Sequence, residues 1–165
     1  MSYYVGIPLL FLTAAAEASV LPMFQVGGLQ PNPVLVLLIG WLMVRGAGEA
    51  FLFIPIGGIF LGLVDPAPMG TALLALAPMA LLQEVRGSQL REGGFLITIL
   101  FTVAMTIVFN LVYLLVYTLA GESGSLFGAL TRVILPTAFL NVIILFPIYV
   151  VLWATSGDLR RASYV

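Results

Sequence analysis

The stretch Pro31–Leu82, PNPVLVLLIGWLMVRGAGEAFLFIPIGGIFLGLVDPAPMGTALLALAPMALL, decides how this chain is read. Two apolar runs, Pro33–Val44 and Phe51–Val64, flank a small charged island, Arg45-Gly-Ala-Gly-Glu49. A third run follows the acidic proline turn Asp65-Pro-Ala-Pro-Met-Gly70. At helical rise the first two runs reach roughly 18 and 21 Å. A bilayer core is about 30 Å thick, so neither crosses it unaided. Short apolar segments broken by Gly and Pro belong inside a bundle, where protein covers their ends. Whether they span or re-enter is left open by their length.

Composition agrees with a membrane setting. The chain has 165 residues, 62% hydrophobic and 8% charged, with a mean hydropathy of +1.19. Soluble domains carry about 25% charge. The reading is an all-α polytopic membrane protein with a single integral domain over 1–165. Its segments lie at about 4–24, 33–44, 51–64, 69–84, 95–120 and 126–153. All six Lys/Arg positions are Arg, which gives no basic footprint for nucleic acid. Without Cys or His there is no disulfide, zinc site or His general base, and no cofactor is expected. Met1–Leu10 lacks the basic start of a secretory signal, so the first segment reads as a permanent helix.

Placing both termini in the cytoplasm puts Arg45, Arg86, Arg91, Arg160 and Arg161 on one side and leaves Arg132 on the other. That matches the positive-inside rule. The outer connections are then Gln25–Asn32, Asp65–Pro68 and Gly121–Ser125, all short.

Polar residues inside membrane segments are the candidates for function. Glu17 lies two-thirds along the first segment, where a carboxylate costs on the order of 2–3 kcal/mol. It should face the bundle, line a polar cavity or carry a proton. It either binds a ligand or partner, or links to Arg132 or nearby backbone. Thr102, Thr106 and Asn110 lie four apart on one helix face, as do Thr137 and Asn141 on the last segment. Asn110 and Asn141 should bond one another or a neighbouring Thr. Arg45 and Glu49 form either a local ion pair or a docking point. Asp65 should cap the fourth helix and shape its turn, or face an outer partner. The small residues Ala14, Ala15 and Ala18, and the GxxxG pair Gly58 and Gly62, offer close-packing faces for another helix. Pro136 and Pro147 should kink the last segment. The loop Val85–Gly94 is the clearest hydrophilic break, and Ala154–Val165 is a polar tail. There is no Ser/His/Asp set, Cys/His set or phosphate-binding loop, so the chain reads as non-enzymatic.

The central stretch resembles the rod shape-determining protein MreD family. The residues that carry the resemblance are Pro33-Val-Leu-Val-Leu-Leu, Arg45-Gly46, Gly62-Leu-Val-Asp65 and Gly70-Thr-Ala-Leu73. Pro66 and Pro68 depart from the commoner pattern. The resemblance implies a scaffold of the bacterial elongation machinery in the cytoplasmic membrane, supporting peptidoglycan synthesis and rod shape. It implies MreC as partner and, through MreC, contact with RodA, a class B transpeptidase and MreB. The family is also similar in outline to substrate-binding subunits of energy-coupling-factor vitamin transporters. On that alternative reading Glu17, Asn110, Asn141 and Trp41 line a pocket.

Overall fold

A computed structural model describes the backbone of residues 2–24, 29–92, 94–121 and 126–162. Side chains are described for 4–23, 29–46, 48–82, 94–121 and 128–155. The described residues are mostly helical, with no strand among them. Helix α1 is Ser2–Ser19, followed by a 3₁₀ turn at Leu21–Phe24. Next come α2 (Pro33–Arg45), α3 (Ala47–Val64), α4 (Thr71–Glu92) and α5 (Gly94–Leu119). A short α6 (Leu126–Ala129) runs through a π turn, Leu130–Ile134, into α7 (Leu135–Ala162).

Among the described residues, three stretches are long and apolar enough to cross a membrane: Tyr4–Met23, Gly94–Leu119 and Leu130–Thr155. The apolar helices Pro33–Arg45, Gly48–Val64 and Thr71–Leu82 are shorter. The expected six segments are therefore present as helices, three of them of full spanning length.

The short α2 is the axis of the bundle. Every residue from Val34 to Met43 is buried. Helices α1, α3, α4, α5 and α7 all touch it. Its start follows from sequence: Pro33 takes the first helical position, where a missing N–H costs nothing. Asn32 caps it, Oδ1 accepting from the Leu35 N–H at 2.8 Å. Its end is fixed by Gly46, with φ 102° and ψ 172°. That conformation is open essentially to Gly alone. A helix sheathed on all sides has no bilayer thickness to match, which accounts for its length.

Around α2 the core is packed by Leu35, Leu38, Ile39, Leu42, Phe53, Leu76, Met79 and Met105, all under 3% exposed. Trp41 meets Phe53 edge-on, centroids 4.9 Å apart. In a lipid setting such contacts act through close packing more than through exclusion of water. The outward faces of α1, α5 and α7 are apolar, with Phe11, Leu12, Leu100, Leu115, Phe139 and Phe146 exposed. The buried polar set includes Thr98, Thr102, Thr106 and Asn141. Polar inside and apolar outside is the arrangement that lipid demands.

Several boundaries correct the sequence reading. The island Arg45–Glu49 shrinks to Gly46, because α3 begins at Ala47 and not at Phe51. Hydropathy marked the apolar run, whereas Ala47-Gly-Glu-Ala50 extends the helix before it, with Glu49 favourably placed in the first turn. The break expected at Val85–Gly94 is mostly helix, since α4 continues to Glu92. Its Gln, Glu, Leu and Arg residues are good helix formers, and polarity did not end the helix. The tail likewise stays helical to Ala162. Side chains of Glu84, Arg86, Arg91, Glu92, Asp158, Arg160 and Arg161 lie outside the described residues, as do residues 25–28 and 122–125 of the connections expected on the outer side. In the last segment, the Leu135 N–H reaches back to the Leu130 carbonyl, which closes the π turn. Pro136 follows directly. It has no N–H and crowds the carbonyl four residues earlier, a conflict that a wider turn relieves.

Candidate functional site

The polar seam begins on α5. Thr98, Thr102 and Thr106 each donate to the carbonyl four residues earlier, at 3.1, 2.8 and 2.8 Å. The Thr106 hydroxyl oxygen keeps room to accept, and Asn141 Nδ2 of α7 donates to it at 2.9 Å. Asn141 Oδ1 accepts from the buried Asn32 N–H at 2.8 Å. From α1, Glu17 Oε2 accepts from the Val34 N–H at 3.3 Å. Three helices thus supply acceptors or bridges to the opening turn of α2, whose N–H groups have no partner within the helix. Glu17 makes the expected backbone link. No ion pair joins it to Arg132, which is exposed. Asn141 bonds a neighbouring Thr, while Asn110 Nδ2 donates to the Thr106 carbonyl of its own helix at 2.9 Å. The two asparagines do not bond each other.

Beside this turn is a cavity of about 440 Å³. Glu17, Ala18 and Pro22 line it from the α1 end, and Gln30, Pro31 and Asn32 from the connection to α2. Leu61, Val64, Asp65 and Pro66 close the α3 side, Phe109, Asn110 and Tyr113 the α5 side, and Thr137 the α7 side. The Tyr113 hydroxyl donates to Asp65 Oδ2 at 2.6 Å, and the Ala67 N–H to Asp65 Oδ1 at 2.9 Å. Gln30 Nε2 donates to the Glu17 carbonyl at 2.6 Å.

Asp65 therefore shapes its turn, but it does not cap α4. It ends α3. The first turn of α4 is closed locally: the Thr71 N–H and hydroxyl both donate to the Pro68 carbonyl, at 3.1 and 2.6 Å. Pro66 and Pro68 lengthen the turn, and an Asp side chain reaches only two or three residues on.

The opposite end of α2 is built differently. The Arg45 guanidinium lies 4.8 Å from the centre of the Trp41 ring, and its Nη2 donates to Thr155 Oγ1 at 3.3 Å. Trp41 Nε1 donates to Glu49 Oε2 at 3.1 Å. Arg45 and Glu49 thus converge on one indole. Trp41 is 3% exposed and sits at the end of α2 away from the cavity. The four residues assigned to a pocket on the alternative reading separate accordingly: Glu17 and Asn110 line the cavity, whereas Asn141 is buried in the seam and Trp41 is remote.

The small-residue faces also divide. Ala14 is buried and Ala15 half-buried, while Ala18 is exposed at the cavity rim. A Cβ on Gly58 would lie 3.1 Å from the Leu73 Cα, so that glycine is already used where α3 crosses the start of α4. A Cβ on Gly62 would meet nothing within 4 Å.

Among the described residues, no group of three or more His, Cys, Asp or Glu could hold a metal ion. The reading from sequence missed Gln30 and Tyr113, and it named Thr137 only as sharing a face with Asn141. Tyr113 was within reach of it, because it lies three residues beyond Asn110 on the same face of α5. No protein-family model, curated protein or solved structure matches the chain.

Proposed function

We propose that the chain is a non-enzymatic scaffold of the MreD kind in the bacterial cytoplasmic membrane, with both termini cytoplasmic. It seats the transmembrane helix of MreC. Through MreC it supports RodA, a class B transpeptidase and MreB in peptidoglycan synthesis. The observation that carries the reading is how the bundle uses its polar groups. Glu17, Asn32, Thr106 and Asn141 bond backbone or each other around α2, while the outer helix faces stay apolar. A molecule built in this way meets partners by lateral helix packing. The quoted motif residues also fall at joints of the bundle: Pro33 opens α2, Gly46 separates α2 from α3, Asp65 closes α3, and Gly70, at φ 90°, precedes α4.

The test is mass spectrometry of the complex taken from native membranes in mild detergent. Recovery of a bitopic MreC-like protein with wall polymerases is the expected result. Recovery of a bound vitamin with ATPase subunits instead would make the chain a transporter component. That second reading, a small-molecule binding subunit, is favoured by one observation, the cavity beside Glu17 and Asp65.

A further inference from the structure

The cavity has a chemical bias that the scaffold reading does not use. Two of its hydrogen-bond donors are turned into the protein. Tyr113 donates to Asp65, and Asn110 Nδ2 to the Thr106 carbonyl. The acceptors remain: Glu17 commits Oε2 to the Val34 N–H, and neither its Oε1 nor Asn110 Oδ1 makes a hydrogen bond among the described residues. Thr137 is 5% exposed, lines the cavity and makes no hydrogen bond among the described residues. Its hydroxyl is not a fully buried orphan but is reached from the cavity, where it can pair with whatever fills it. Among the described residues, no basic residue lines the cavity. Phe109 and Tyr113, stacked 4.8 Å apart, form an aromatic wall, the surface on which organic cations settle. The volume falls in the range of small-molecule sites, roughly 300–1,000 Å³.

We infer that this cavity binds a small organic cation through its ammonium or guanidinium group, with Asp65 supplying charge and Glu17, Asn110 and Thr137 accepting hydrogen bonds. The inference does not depend on the scaffold reading. The group belongs either to a free amine or to the headgroup of an ethanolamine lipid.

The experiment is calorimetric titration of the full chain in phosphatidylcholine nanodiscs with agmatine, using 1,4-butanediol as the uncharged control. Agmatine should bind saturably and butanediol should not. Asp65→Asn keeps an acceptor for Tyr113 and should weaken agmatine binding about tenfold. Thr137→Val keeps the side-chain shape and should weaken it several-fold with the melting temperature of the free protein unchanged. If Asp65→Asn does not fold, Thr137→Val carries the test. No binding of agmatine, equal binding of butanediol, or full binding by the folded variants would overturn the inference. Adding phosphatidylethanolamine distinguishes the sources. Competition with agmatine supports a headgroup ammonium in the site, and undiminished binding supports a free cation.

Discussion

The two ends of α2 carry the same electrostatic logic in different packing. A helix is partially positive at its N-terminus and negative at its C-terminus. At the first end Glu17 of α1 brings a carboxylate to the Val34 N–H, and Asn32 brings an amide oxygen to the Leu35 N–H. At the other end Arg45 brings a cation in the last turn, held over Trp41. The second end is closed by an indole that joins Arg45 and Glu49. The first opens onto a cavity with acceptors to spare. Neutralising a helix terminus thus does not require a void, and the void at the first end is an additional feature of that end.

The largest effect should come from Asn141→Leu at the first end. It removes the acceptor of the buried Asn32 N–H and the donor to Thr106 together. An unsatisfied buried group costs about 1–3 kcal/mol, so a loss near the top of that range is expected. Unfolding in a mixed-micelle denaturant series measures it. A loss equal to the membrane average of about 0.6 kcal/mol would mean that the seam does not hold α2 in place. Next is Glu17→Ala, which leaves the Val34 N–H without its acceptor and should cost about 1–2 kcal/mol in the same assay. Glu17→Gln keeps an oxygen there and should recover most of it. A Gln variant as unstable as Ala would show that charge, and not the acceptor, serves the helix terminus.

These residues also show what was readable. The short buried α2 was visible in its length, its Pro start and its Gly stop, because those are local properties of the chain. The shared face of Thr102, Thr106 and Asn110 was visible because helical spacing fixes it. The meeting of Asp65 with Tyr113 across 48 positions was not, because it depends on how α3 and α5 cross. Helix ends near Glu49 and Glu92 were misplaced for a third reason. Hydropathy reports where lipid ends, whereas backbone hydrogen bonding continues through polar residues that favour helix.

At the closed end the effects should be smaller. Arg45→Ala removes the cation over Trp41 and the bond to Thr155, and should cost about 1 kcal/mol. Arg45→Lys keeps charge but loses the planar stacking, and should fall between. If Arg45→Ala were as damaging as Asn141→Leu, the two ends would be of equal weight, and the contrast between an open and a closed end would fail.

The smallest effect on stability belongs to Gly62, on α3 near the cavity end, and it bears directly on partner docking. Gly58→Leu drives a side chain into the Leu73 backbone, so loss of a partner in that variant would report only a damaged bundle. Gly62→Leu meets open space and should change stability by less than about 0.5 kcal/mol. If a partner helix packs on this face, the new side chain blocks the close approach that small residues allow. Co-purification yield should then drop with the melting curve unmoved. Full yield from a normally folded Gly62→Leu would remove this face from the docking surface and leave the exposed Ala18 edge of α1 as the next one to block.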